Sequence, residues 1–451
     1  MSNPSSPSPK RARMNSAESI QYSSLQGANS KKVIYPAPTL EQFDLKQYLD
    51  EYSGISKIKR AMYMAEHCTD LAAECYCIAL AEAHSKTLNI RIYEEIWQRL
   101  RQLSVDVQKD SQWVEQTRNE NSREKEDLKR EVDKAVIAGQ KKDALKAQQD
   151  FARHLVRVGQ ADEAVRAWQD TREYCVNVQD QALLSIEAAK INQSNCRWLQ
   201  VNSFTQRAVQ TLSKSVDEKM RADIDVLQLQ ASVGDGRWAA AVASVRTLKY
   251  DGLVSCEMFT SGAVAPQDIA LYGALAGLAA LKRDSIKADL INNVEFGKFL
   301  DHMPECARLL RCFYASRYSE CLGRLDNLLS LAALDPVLGP HVGQLQATIR
   351  ENTVVLYTQP FVSSSLESMA QALRFGSTAD LEELLVKLIE RRLISARIDG
   401  TSGYLVKYTA NPRDTALETI NRMYRSLSLQ SEAMLARIQF FEEEMGKTGR
   451  K

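Results

Sequence analysis

The spacing of apolar residues changes period inside one short stretch, Phe375 to Tyr408, and that change predicts a small mixed domain. Leu381, Leu384, Leu385, Leu388 and Ile389 recur at i, i+3, i+4, i+7 and i+8, which is one face of an α-helix. Ser377 or Thr378 stands where a side-chain oxygen accepts a hydrogen bond from a free N–H of the first turn. Further on, Ile394, Ala396 and Ile398 alternate with Ser395 and Arg397, as a strand requires. Asp399-Gly400-Thr401-Ser402-Gly403 reads as a turn, and Tyr404 to Tyr408 as a second strand. Helix, strand, glycine turn, strand is the back half of a winged helix. Tyr404, Val406 and Tyr408 then mark an edge strand, whose backbone a neighbouring wing extends.

After Pro412 a second apolar pattern runs to the end. Leu417, Ile420, Tyr424, Leu427, Met434, Ile438, Phe441 and Met445 are spaced 3, 4, 3, 7, 4, 3 and 4, with polar Ser431 in the remaining slot. This heptad-like seam predicts a long helix whose stripe seeks partner helices. The alternative is packing back on the chain's own repeats.

Upstream, the pattern is helical almost throughout. Leu45, Tyr48, Leu49 and Tyr52, then Ile55, Ile58, Met62 and Met64, give two helices that Gly54 separates; further helices are expected over about 70–86 and 89–105. Residues 120–150 interleave eight basic and eight acidic groups, Glu126 and Arg130 at i,i+4 among them, which predicts one long exposed helix. Gly159-Gln160-Ala161-Asp162-Glu163-Ala164 then has the turn-and-helix form of a helical-pair repeat. Small residues recur at Ala164, Ala208, Ala241 and Cys321, separations of 44, 33 and 80, or about one, one and two periods of a tetratricopeptide-like solenoid. The 13-residue apolar run Ile269–Leu281 is too short for a membrane span of about 20 residues; with Gly273 and Gly277 it reads as a closely packed buried helix.

Composition agrees with this reading. Nineteen glycines and 11 prolines in 451 residues are too few for a turn-rich sandwich or barrel, and 44% apolar residues are enough for a folded core. Lys+Arg of 58 against Asp+Glu of 57 leaves a net charge of +1, so charge alone requires no nucleic acid. Nine scattered cysteines without a CxxC are expected to be reduced thiols serving as small core hydrophobes. The start is polar and proline-rich and reads as no signal peptide but a solvated tail over 1–38. Within it Ser8-Pro9 marks Ser8 as a candidate phosphorylation site, and Lys10-Arg11-Ala12-Arg13 resembles a minimal nuclear-import patch.

Catalytic signatures are missing. Five histidines (His67, His84, His154, His302 and His341) form neither HxH nor HExxH, so no zinc-hydrolase pattern exists and structural roles are expected for all five. Gly446-Lys447-Thr448 lacks the first glycine of a phosphate loop, where Phe441 stands. No catalytic residue, cofactor or metal is expected. The helix before the wing opens with Asp380, Glu382 and Glu383, which phosphates repel; Lys387, Arg391 and Arg392 come later, and DNA binding is not favoured.

Helical repeats feeding a winged helix and a long terminal helix resemble the layout of the PCI domain, shared by the proteasome lid, the COP-nine signalosome and translation initiation factor three. FDLKQYLDEYSGISKIKRAMYMAEHC (43–68), REYC (172–175), DIALYGALAGLAAL (268–281), YSECLGRLDNLL (318–329) and LIERRLISARIDGTSGYLVKY (388–408) resemble the subunit-one family of the signalosome, a paralogue of a proteasome-lid subunit. The resemblance covers roughly 40–445 in colinear order. Arg391 and Arg392 depart from it where the family usually has glycine between helix and strand.

The resemblance implies a mainly α fold: a right-handed helical-repeat (TPR-like) solenoid, then a winged-helix (PCI) domain and a long C-terminal helix. The expected divisions are a disordered tail (1–38), an N-terminal helical region (39–120), a long charged helix (121–150), the solenoid (151–350), the winged helix (351–410) and the assembly helix (411–451). It further implies a non-catalytic scaffold, cytoplasmic and nuclear, in a complex that removes Nedd8 from cullins and so controls cullin-RING ligases. Other subunits would be met through the winged-helix edge and a C-terminal helix bundle. A proteasome-lid scaffold and a nucleic-acid adaptor are the alternatives.

Overall fold

The structure is a computed structural model that describes residues 44–105, 107–212, 218–408 and 412–448. Ser8, Lys10–Arg13 and the rest of the tail lie outside the described residues.

The fold is mainly α. It opens with α1 (Leu45–Asp50), α2 (Gly54–His67), α3 (Ala72–Lys86) and α4 (Ile90–Gln102). These close on Leu49, Ile58, Met64, Cys75, Ile96 and Leu100, all fully buried. Gly54 adopts φ +60, the left-handed backbone that the turn between α1 and α2 demands.

The charged segment is not one helix. α5 (Ser111–Ile137) begins earlier than the charge pattern does, and the chain turns at Gly139, φ +68, before α6 (Lys141–Val158) packs against α5. Propensity and i,i+4 pairs favour helix on both sides of Gly139, so the charge pattern runs through the break without marking it.

The repeats follow as α7 (Ala161–Asp170), α8 (Val178–Ser194), α9 (Trp198–Thr211), α10 (Glu218–Gly234) and α11 (Trp238–Thr247). One turn joins them again and again. A residue with positive φ follows the helix, and its neighbour's N–H reaches back across the last turn: Gln160 to the Leu155 carbonyl, Arg197 to Asn192, Arg237 to Ser232, Arg317 to Cys312. This Schellman closure satisfies carbonyls that a helix end leaves free. Gly159 and Gly236 fill the left-handed position in two turns, Cys196 and Ser316 in the others. Five residues on lies the fully buried contact of the next helix: Ala164, Val201, Ala241 and Cys321. Ala208, expected in this series from its spacing, is buried but lies seven residues beyond the equivalent position, Val201.

Three short helices surround a buried one. α12 (Tyr250–Val254) and α13 (Glu257–Thr260) lead into α14 (Pro266–Ala280), which is buried from Asp268 to Ala279; α15 (Arg283–Ile286) follows. At Gly273 and Gly277 a Cβ would overlap Phe296 and Leu290, so both glycines admit side chains directly against the α14 backbone. The repeats continue as α16 (Val294–His302), α17 (Pro304–Tyr314), α18 (Tyr318–Ala332) and α19 (Val342–Thr358). The winged helix comprises β1 (Ser363–Ser365), α20 (Leu366–Ala372), α21 (Thr378–Glu390), β2 (Ala396–Asp399) and β3 (Tyr404–Lys407), and α22 (Pro412–Thr448) ends the fold. A single apolar core runs without interruption from Ile186 through α14 and α18 to Leu381, Leu388 and Leu405. Position 351, expected to start the winged helix, falls inside α19, which carries the solenoid into it.

A buried charge cluster joins the N-terminal bundle to this core. The Arg60 guanidinium, 4% exposed, donates to Asp268 at 2.7 Å and to Tyr48 Oη at 2.8 Å, lies 3.2 Å from Asp335, and sits 4.1 Å over the Tyr52 ring. Tyr52 Oη donates to Asp268 at 2.7 Å and Tyr272 Oη to Asp335 at 2.6 Å. The backbone N–H groups of Ala265 and Val337 add one bond to each carboxylate. Two carboxylates share one cation, so one of them is held reluctantly as a charge. Burial is the main reason that Asp268 is pushed up to about 6; Asp335 raises it further, and Arg60 opposes both.

Arg60→Met leaves two buried carboxylates without their cation, and should cost roughly 3–5 kcal/mol in denaturant unfolding at pH 7. The folded chain holds the Asp268 proton more tightly than the unfolded chain does. This group therefore makes stability fall as pH rises from about 4 to about 6, and adds no slope above that window. Melting temperatures of wild type and Asp268→Asn across that range should differ by this slope; parallel curves would show that Asp268 does not titrate there.

Candidate functional site

The winged helix assembles from local signals that are easy to trace. Ser377 caps α21 by accepting from the Asp380 N–H at 3.2 Å. At the other end Leu393 N–H reaches the Leu388 carbonyl at 3.0 Å and Arg392 N–H reaches Ile389 at 2.9 Å, the same closure as in the repeats. Arg392 occupies the left-handed position at φ +58. That backbone favours glycine, by about 1 kcal/mol over a residue with a Cβ. The wing turn is organised by Asp399, which accepts from Thr401 Oγ1 and Ser402 Oγ, each at 2.6 Å. Those hydroxyls, Ser402 first, hold its carboxyl down at about 2.

The sheet order corrects one expectation. The order is β1-β3-β2, both pairs antiparallel, so the strand with Tyr404 and Val406 is the middle one and its backbone is already paired on both sides. The free edges belong to β1 and β2. β1 carries no sequence signal, because Ser363-Ser364-Ser365 has no apolar alternation and pairs only through its backbone. Tyr404, Val406 and Tyr408 instead share the outer face of the sheet, while Leu405 and Ala396 point into the core. At the end of β3 the Lys407 N–H bonds to Val362 and the Tyr408 N–H to Ser395. Exposed Phe361, Val362, Leu393 and Tyr408 therefore gather there.

Arginines fix this unit to the solenoid. Arg391 Nη1 pairs with Glu351 of α19 at 3.2 Å. Arg374 lies against Gly323 of α18, where any Cβ would collide with its guanidinium, and Lys407 Nζ donates to the Gln359 carbonyl at 3.0 Å. Lys387 is taken up by Glu383 at 2.6 Å. Two of the three basic groups near the end of α21 are thus engaged within the chain, while Asp380, Glu382 and Glu383 face solvent on its first turns.

α22 is 37 residues long, or about 55 Å at 1.5 Å per residue. Of the expected seam, Leu417, Ile420, Tyr424, Leu427, Met434 and Ile438 are all exposed, between 48% and 71%. Phe441 and Met445 belong to the helix, and their side chains lie outside the described residues. Met423, Leu429, Leu435 and Phe440 are exposed as well, so apolar groups stand on more than one face.

No site for chemistry gathers among the described residues, where no three His, Cys, Asp or Glu side chains converge as metal ligands. His67 bonds to Tyr63 O, His302 to Tyr250 Oη and His341 to Gly234 O; His84 lies over Trp113, and buried His154 faces Glu124 at 3.3 Å. The nine cysteines are unpaired, and six are buried. Cys77 and Cys196 are exposed, against the expectation of core positions: Cys196 is spent on a left-handed turn and Cys77 on the outer face of α3. Burial pushes the Cys75, Cys256 and Cys321 thiols up to about 12, which suppresses the thiolate that nucleophilic chemistry needs.

Comparison with known proteins agrees with this architecture. Residues 110–289 match the family described as 26S proteasome subunit RPN7, and residues 329–409 match the PCI domain. COP9 signalosome complex subunit 1 of Arabidopsis thaliana is 28% identical over 412 residues, 90% of this chain and 91% of that protein. Its Schizosaccharomyces pombe counterpart is 27% identical, covering 88% and 91%. A 26S proteasome non-ATPase regulatory subunit 6 of Oryza sativa is 22% identical over 63% of this chain and 70% of its own length.

Replacing Arg392 by Gly removes the left-handed strain and leaves the Arg391–Glu351 pair intact. The variant should gain roughly 0.5–1 kcal/mol in chemical denaturation. A loss of that size would mean that the Arg392 side chain contributes a contact that outweighs its backbone.

Proposed function

We propose, for a chain that belongs to the PCI-domain family and is homologous along nine-tenths of its length to subunit 1 of the COP9 signalosome, that it is a non-catalytic scaffold subunit of such a complex. The observation that carries this reading is α22. A helix about 55 Å long with apolar groups on several faces is stable only when other helices cover it. Breadth beyond one seam favours a bundle over a two-stranded coil. The outer face of the sheet, with Tyr404, Val406 and Tyr408, and the free edges of β1 and β2 supply a second surface for neighbouring subunits.

In this role the chain holds other subunits in place, and the chemistry is theirs. Its complex removes Nedd8 from cullins and so regulates cullin-RING ubiquitin ligases. Cytoplasm and nucleus are the proposed compartments, supported by nine unpaired cysteines and the basic Lys10–Arg13 segment. Among the described residues no helix is long and apolar enough to cross a membrane. Nucleic-acid binding through α21 is disfavoured by its exposed acids and by the pairing of Lys387 and Arg391. A place in the proteasome lid rests on the similarity to the rice subunit, which covers less of the chain.

Leu427→Asp combined with Ile438→Asp should expel the chain from its complex in affinity purification, while the melting temperature of the isolated chain stays within a few degrees of wild type. Undiminished recovery of partners would remove α22 from the interface. Recovery of proteasome-lid subunits by the wild type would transfer the role to that complex.

A further inference from the structure

A groove of about 630 Å³ lies on the repeats, outside the winged helix. Its floor is one face of α8, where Gln181, Leu184, Ser185 and Ala188 fall at i, i+3, i+4 and i+7. Arg172, in the turn after α7, closes one side, and Arg207 on α9 closes the other. Trp168 belongs to the wall. It is 1% exposed, yet its indole N–H has no hydrogen-bond acceptor among the described residues. Buried donors are almost always satisfied. That nitrogen has no surface of its own in the groove, so the occupant is read from the exposed groups.

Charge decides what the occupant is. The described residues lining the groove include two guanidiniums and no carboxylate. Arg172 and Arg207, like Arg166 on α7, have no ion pair among the described residues, whereas Arg153 pairs with Asp150 and Arg197 with Asp162. An unpaired guanidinium fork matches a carboxylate in two parallel hydrogen bonds. The glutamine amide offers both donors and an acceptor, which suits a peptide backbone. The chain's own first 35 residues carry five basic groups against one acid, the wrong sign for this groove. We propose that the groove between α7, α8 and α9 binds an extended acidic peptide segment of a partner protein. Arg172 and Arg207 hold its carboxylates, and the Gln181 amide meets its backbone. This contact is separate from α22, and its failure leaves the assembly reading untouched.

The test is fluorescence anisotropy of a fluorescein-labelled hexaglutamate peptide with the full-length chain, at low and at physiological salt. Wild type should bind, and Arg172→Glu with Arg207→Glu should weaken binding about tenfold or more, since each arginine supplies a charge-assisted contact. Both side chains are exposed, so an unchanged melting curve should accompany that loss. Gln181→Leu, which deletes the amide, should weaken binding less. Equal affinity in the double variant, or no wild-type binding at low salt, overturns the proposal. Tighter binding of an oligouridylate, lost in the same double variant, also overturns it and assigns the groove to a phosphate ligand.

Discussion

Arg60 ties the α1–α4 bundle to the main core. Its two carboxylate partners come from the start of α14 and from the loop after α18, so one guanidinium ties α2 to two parts of the main core. The surrounding tyrosines and backbone N–H groups satisfy each oxygen, which makes so deep a charge tolerable. A buried ion pair adds little stability compared with well-packed apolar groups, but it accepts only one arrangement of its members. The α1–α4 bundle has its own apolar core, and the cluster specifies where that core sits against α14.

From that fixed frame the chain extends by repetition. Four helices, α6, α8, α10 and α17, end in the same closure, and the helix after each places a small or β-branched residue five positions on. The winged helix uses the same device at Arg374 and Arg392 and shares the repeats' apolar core. It is the continuation of the solenoid by another kind of secondary structure. Arg391 and Arg374 then fix its angle, so the surface it offers to neighbours is held by the repeats behind it.

Much of this was legible in the sequence wherever a signal is local. The α21 stripe, the Ser377 cap, the wing turn, buried α14 and the exposed seam of α22 each follow from periodicity or from one residue type within a few positions. What escaped is what depends on distant or backbone partners. β1 is three serines that pair through their N–H and C=O groups alone, so the sheet order, and with it the edge assignment, could not be read. The register of the repeats was misplaced by seven residues at α9 because Cys196 fills a turn that glycine fills elsewhere. The Arg60 cluster joins residues more than two hundred positions apart, and nothing in a lone arginine near Tyr52 announces them.

The bareness of α22 has a further consequence for the life of the chain. A polypeptide made in excess of its companions carries a long greasy rod in open water, the kind of surface that chaperones retain and proteases clear. If companions sheathe that rod as proposed, its abundance would be set less by how fast it is synthesised than by how many of them are there to do so. A scaffold built this way polices its own stoichiometry.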